Sequence, residues 1–126
     1  MPPDVDDGSI GDDADLLRRI RPDQIVDDKN VGARRPSSAA FKDPAMSVDA
    51  EPVLRQHGLD QTFSLRNHAG YSLARFKAGV ARGINLPVVH KPETDNPAHT
   101  EVTGKKTQGG ANHLVAAATW AHLEPI

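Results

Sequence analysis

At 126 residues the chain has room for one domain and not for two of ordinary size. Apolar residues make up 37% and aromatics 4%, so the core has to be small and built mainly from Val, Leu, Ile and Ala, while the absence of cysteine excludes disulfides, thiolate nucleophiles and thiolate zinc sites. The net charge of -2 hides an asymmetry: six of the 17 acidic residues fall in the first 15 positions, which hold no Lys or Arg, and the rest of the chain carries a net +4.

These bounds set the first expectations. A cysteine-free chain suits a reducing compartment and therefore the cytoplasm. No apolar run approaches the ~18 residues of a membrane span, and the N-terminus has no basic-then-apolar signal, so no membrane association is expected. The mildly basic body favours an anionic small molecule or a nucleic acid as ligand, or an acidic protein partner. The shortage of aromatic rings counts against stacking on single-stranded nucleic acid.

Taken in order, residues 1–12 are rich in Asp, Gly and Pro and predict a disordered acidic leader, with residues 13–126 forming a single domain. In the next segment, DADLLRRI, Asp12 or Asp13 can act as a cap and Pro22 ends the run, which is too short to separate helix from strand. From Arg21 to Pro44 the turn residues predict a long loop, a length that suits binding. MSVDAEPVLRQHG predicts a short helix over 49–57, with Ser47 or Asp49 as cap, Pro52 in its first turn and Gly58 after its end, and an optional strand over 45–48. TFSLRN alternates as a strand does. YSLARFKAGVAR fits either period, and its aromatic residues and Gly79 favour a strand. LPVVH and AHTEVT are strands, the second ended by Gly104, and ANHLVAAATWAHL is a C-terminal helix on which Trp120 packs against a sheet. The fold class expected is α+β: a small single domain with a mainly antiparallel sheet, two or three short helices and a C-terminal helix.

Chemistry concentrates between His90 and His113, where three histidines, Asp95, Glu101, Lys105 and Lys106 accompany a single apolar residue larger than alanine, Val102. His99 and Glu101, two apart on a strand, share a face and are the candidate catalytic pair of a small hydrolase or transferase. With Asp95 and His90 they are also the nearest approach to a metal site, but no pair has diagnostic ligand spacing, so no metal is expected and no cofactor is assigned. The nuclease reading lacks the glutamate-any-lysine spacing, because Thr103 stands where the lysine should be. GKKT at 104–107 is not a triphosphate loop, since His99 and Lys106 occupy the places of the required glycine and hydroxyl residue.

Two basic, hydroxyl-bearing loops remain as ligand-binding candidates: Arg34, Arg35, Ser37 and Ser38 in RRPSS, and Lys105, Lys106 and Thr107 before a helix start that favours anions. The leading expectation is a phosphate-bearing or other anionic ligand, a nucleotide or nucleic acid, held by these loops. The alternative is a protein-interaction module of a multiprotein complex. The order of an arginine on an early strand (Arg18 or Arg19), a serine after a middle loop (Ser47) and a glutamate on a late strand (Glu101) resembles the set with which compact ADP-ribosyl-transfer folds hold NAD and steady its ribose. That resemblance covers three residues and carries no spacing.

Overall fold

The computed structural model describes residue 6 and residues 8–30 and 32–125, so most of the first seven positions of the leader lie outside the described residues. Strands β1 (Asp15–Ile20), β4 (Ala45–Ala50), β5 (Ser72–Lys77), β6 (Val88–His90), β7 (His99–Thr103) and β8 (Thr119–His122) form one sheet in the order β6-β7-β4-β1-β5-β8, every pair antiparallel. Strands β2 (Ile25–Asp28) and β3 (Ala33–Pro36) make a separate hairpin. Helices α1 (Glu51–Gln56), α2 (Ala78–Arg82) and α3 (Gln108–Ala117) complete a small α+β domain.

Alternation along the strands gives the sheet two unlike faces. Leu16, Ile20, Met46, Val48, Phe76 and Val102 point to one face, each no more than 3% exposed. There α3 and the 3-10 turn Ser38–Phe41 cover them, with Leu114 buried and the rings of Phe41 and Phe76 meeting edge to face at 6.0 Å. The other face carries Leu17 and Leu73 at its centre and Ala45 and Val89 toward its edge, with polar residues between them: Asp15, Arg19, Ser47, Asp49, Arg75, His99 and Glu101. Helix α1 and the 3-10 turn Gln61–Leu65 roof part of it and leave the rest open.

Four segments depart from the periodic reading, each for a local reason. The expected loop 21–44 contains the β2–β3 hairpin, closed where the Gly32 amide donates to the Asp28 carbonyl at 2.9 Å with Gly32 at φ 67°. TFSLRN is a 3-10 turn, because the Asp60 carboxylate accepts from the Thr62 amide at 2.9 Å and caps it. YSLARFKAGVAR is both of its alternatives in succession, β5 and then α2, with Gly79 so close to Asp12 that a Cβ would lie 3.1 Å from that side chain. Helix α3 starts three residues earlier than expected and stops at Ala117. Thr119 and Trp120 then pair with the edge of β5, a tertiary opportunity that outweighs the helix propensity of the alanines.

Ser47 and Asp49 do not cap α1. Its N-cap is Ala50, without a side-chain bond, and both polar residues belong to β4. The described end of the leader lies against the domain: Ile10 is 3% exposed within the core, and Asp6 and Asp12 pair with Arg82.

Candidate functional site

The open part of the polar face is a cleft of about 330 Å³ lined by Arg19, Ser47 and His99 on its floor, by Arg66, Asn67 and His68 on one wall, and by Glu93, Asp95 and Asn96 on the other. The strand register builds the floor. Leu17 pairs with Asp49 and Asp49 with His99, while Ser47 pairs with Glu101. The pairing of β1 with β4 ends at Leu17 and Asp49, and beyond it Arg19 and Ser47 both line the cleft, with Glu101 opposite Ser47 on β7 but not among the lining residues.

Asp49 holds the two walls to that floor. Its carboxylate is 1% exposed, and it accepts from Ser64 Oγ at 2.6 Å and from Asn96 Nδ2 at 2.8 Å, with Arg19 Nη1 at 3.7 Å. A buried carboxylate is tolerable when each oxygen has a donor, and here the donors come from three separate segments. Arg19 also donates to the Ser64 carbonyl at 3.2 Å, so its guanidinium is anchored while its side chain stays 26% exposed to the cleft.

On the walls, Arg66 lies over the Phe63 ring at 3.7 Å and reaches across to the Asp95 carbonyl at 2.9 Å, tying one wall to the other. Asn67 beside it takes φ 61°, a left-handed conformation that Asn accepts more readily than most residues. His68 packs edge to face on Tyr71 with centroids 5.1 Å apart.

His99 is 9% exposed. Its Nδ1 is 3.0 Å from the Lys91 carbonyl, which can only accept, so Nδ1 carries a hydrogen and Nε2 faces Ser47 Oγ at 3.3 Å. Glu101 sits beside this pair, its carboxylate bonded to Lys91 Nζ at 3.1 Å. Lys91 therefore orients both residues that the sequence singles out, one through its carbonyl and one through its ammonium. His90 turns away: its Nε2 meets the Pro97 carbonyl at 2.8 Å.

The two basic loops lie elsewhere and do not share a cavity. Arg34 lines two cavities of about 440 and 530 Å³ along the hairpin with Asp27, and its carbonyl accepts from Trp120 Nε1 at 3.1 Å. Arg35 is bonded to Asp28 at 3.0 Å. Ser37 caps the turn that follows it, and Ser38 accepts from Gln108 Nε2 at 3.0 Å, which brings this loop to the start of α3. Lys105 is exposed, and Thr107 caps α3 through the Gly110 amide at 3.0 Å. Lys106 is 7% exposed and donates to the carbonyls of Val102 and Gly104 at 2.7 and 2.8 Å, and burial pushes its ammonium down to about 8. Arg18 points to the opposite face from Arg19, donating to the carbonyls of Ala40 and Ser47, and burial lowers its pKa too.

Among the described residues no group of three or more His, Asp or Glu is placed to hold a metal ion, and no helix is long and apolar enough to cross a membrane. Sequence reasoning passed over Arg66, His68, Asp49 and Asn96. The Asp60 cap and the turn in DNPAH, where Asn96 Oδ1 accepts from the Ala98 amide at 3.1 Å, are the local signals that mark the two walls. Comparison with known proteins found no matching family model, no matching curated protein and no matching solved structure.

Proposed function

We propose that the cleft binds a phosphate-bearing nucleotide of the NAD type and transfers or hydrolyses its ribosyl group. The observation that carries this reading is the meeting of Arg19 and Ser47 in the lining of a polar cleft, with Glu101 paired to Ser47 on the neighbouring strand. The three residues of the ADP-ribosyl-transfer resemblance, unrelated by spacing in the sequence, lie on one face of three adjacent strands.

The chemistry needs each of them. A phosphate carries charge that a guanidinium can meet with two parallel hydrogen bonds, and Arg19 is already held in place by the Ser64 carbonyl. Arg66 and His68 extend the donor set along the wall. Breaking the bond between a ribosyl carbon and a ring nitrogen develops positive charge on that carbon, as in glycoside cleavage, and a fixed carboxylate beside it lowers the barrier. Glu101 is such a carboxylate, steadied by Lys91 and paired across the strands with Ser47, which lines the cleft.

Calorimetric titration with NAD, together with chromatography of the products, tests the reading. Saturable binding weakened in Arg19→Ala, with release of free nicotinamide lost in Glu101→Gln while binding persists, is the expected result. Absence of both binding and nicotinamide release in the unsubstituted protein would refute it and favour the protein-interaction module.

A further inference from the structure

We infer that His99 is the general base of this site and that the acceptor it serves is a hydroxyl, of water or of an alcohol. The inference rests on the ribosyl-transfer reading and adds the half of the reaction that Arg19, Ser47 and Glu101 leave unassigned. These residues can bind the nucleotide and stabilise the departing charge, but none of them is set up to take a proton from a group entering the cleft. Arg19 is a permanent cation, and Glu101, bonded through Oε1 to Lys91 at 3.1 Å, is not among the residues that line the cleft.

His99 is set up for it. Its Nδ1 hydrogen is committed to the Lys91 carbonyl at 3.0 Å, which fixes the tautomer and leaves the lone pair on Nε2. That nitrogen lies 3.3 Å from Ser47 Oγ, so it already faces a hydroxyl at the cleft floor. Two positions from Glu101 on β7, it shares the face on which the ribosyl carbon would sit. A base oriented through its second nitrogen and within hydrogen-bond reach of a hydroxyl is the arrangement that general-base chemistry requires.

The surrounding charges select the acceptor. Asp49 from β4 and Arg19 from β1 flank the imidazole on the floor, and Lys91 with Glu101 stand behind it. Facing it are Arg66 and His68 from one wall and Glu93 and Asp95 from the other. A lysine or arginine acceptor would bring a second cation up against Arg19 and Arg66, whereas a hydroxyl is neutral and becomes nucleophilic only as it loses its proton. In the step, the acceptor oxygen forms a bond to the anomeric carbon as its proton passes to Nε2. The bond from that carbon to the nicotinamide nitrogen breaks, and its electron pair goes to the nitrogen, cancelling the pyridinium charge. The proton on His99 then leaves to solvent, and nothing is oxidised or reduced.

The test follows nicotinamide release from NAD by the full chain between about pH 5 and 8, the range in which histidine changes charge. The unsubstituted protein is expected to lose rate on the acid side of that window. His99→Asn, whose amide can still donate to the Lys91 carbonyl, should bind NAD with unchanged affinity and release nicotinamide at least about 10²-fold more slowly, without the acid limb. Added imidazole should restore rate to His99→Ala, a rescue that a structural role would not permit. Added methanol separates the two acceptors: formation of methyl ADP-ribose in the unsubstituted protein marks an alcohol site, and ADP-ribose alone marks water. An unaltered rate and pH profile in His99→Asn would overturn the assignment of the base while leaving the ribosyl-transfer reading intact. If the variants do not fold, a rate independent of pH across this window in the unsubstituted protein would overturn it equally. Absence of NAD binding in that protein would instead remove the reading beneath it.

Discussion

Asp49 shows how much of the site depends on one buried group. Its carboxylate accepts from Ser64 and Asn96 and pairs with Arg19, so Asp49→Ala would leave two donors short of an acceptor and Arg19 without its counter-charge at the base of the cleft. Hydrogen bonds to a charged group contribute about 1.5–3 kcal/mol, and a loss of that order is expected in urea unfolding of Asp49→Ala, with weaker NAD binding because Ser64 and Asn96, which fix the two walls, lose their common acceptor. Lys106 gives a second measurable quantity. Its folded pKa of about 8 lies below the 10.5 of the free side chain, so between these values the unfolded chain binds more protons than the folded one. Stability contributed by this residue therefore rises as pH goes from about 8 to 10.5, and its penalty is constant below that window. Lys106→Met should flatten this part of the profile, read as the difference between the urea midpoints of the two proteins at pH 7.5 and pH 10.

Among the elements, the leader makes a prediction that its composition does not. Asp-rich, glycine-rich sequence predicts a dispensable segment, yet Ile10 is 3% exposed and the Asp12 carbonyl accepts from the Gly79 amide at 3.0 Å. Truncating residues 1–12 removes a buried isoleucine from the core, and Ile10→Ala alone should cost about 2–5 kcal/mol. Arg82→Gln breaks the pairs with Asp6 and Asp12 but should cost no more than about 1 kcal/mol, because those acids are substantially exposed. Thermal unfolding of the three variants checks the order: truncation and Ile10→Ala clearly destabilised, Arg82→Gln close to the parent. The 61–68 segment is the other informative element. Its sequence alternates like a strand, but the Asp60 cap and the left-handed Asn67 turn it into the wall of the cleft, carrying Arg66 and His68.

For the whole molecule, the division of labour is between the two faces of one sheet. The face under α3 and the turn Ser38–Phe41 is a conventional apolar core, while the opposite face keeps charged residues on three adjacent strands where only part of it is roofed. A ligand that binds the folded cleft and not the unfolded chain raises stability by mass action. Saturating NAD should therefore raise the melting temperature of the parent protein and of Glu101→Gln, which keeps the binding groups. At the same NAD concentration the rise should be smaller in Arg19→Ala, and an equal shift in Arg19→Ala would separate binding from this cleft.

The α+β class, the strands at LPVVH and AHTEVT, the short helix before Gly58 and the pairing of His99 with Glu101 on one face follow from the chain alone, because alternation, caps and breakers act over a few residues. The strand at Thr119–His122 could not follow, since an alanine-rich segment becomes a strand only where β5 offers it an edge. Nor could the site. Arg19, Ser47 and Glu101 come to one face only because the sheet sets β1, β4 and β7 side by side, and which of Arg18 and Arg19 faces the cleft is decided by which face of β1 the core covers. Periodicity states that two residues share a face of one strand; it does not state which strands are neighbours, and that neighbourhood makes the cleft.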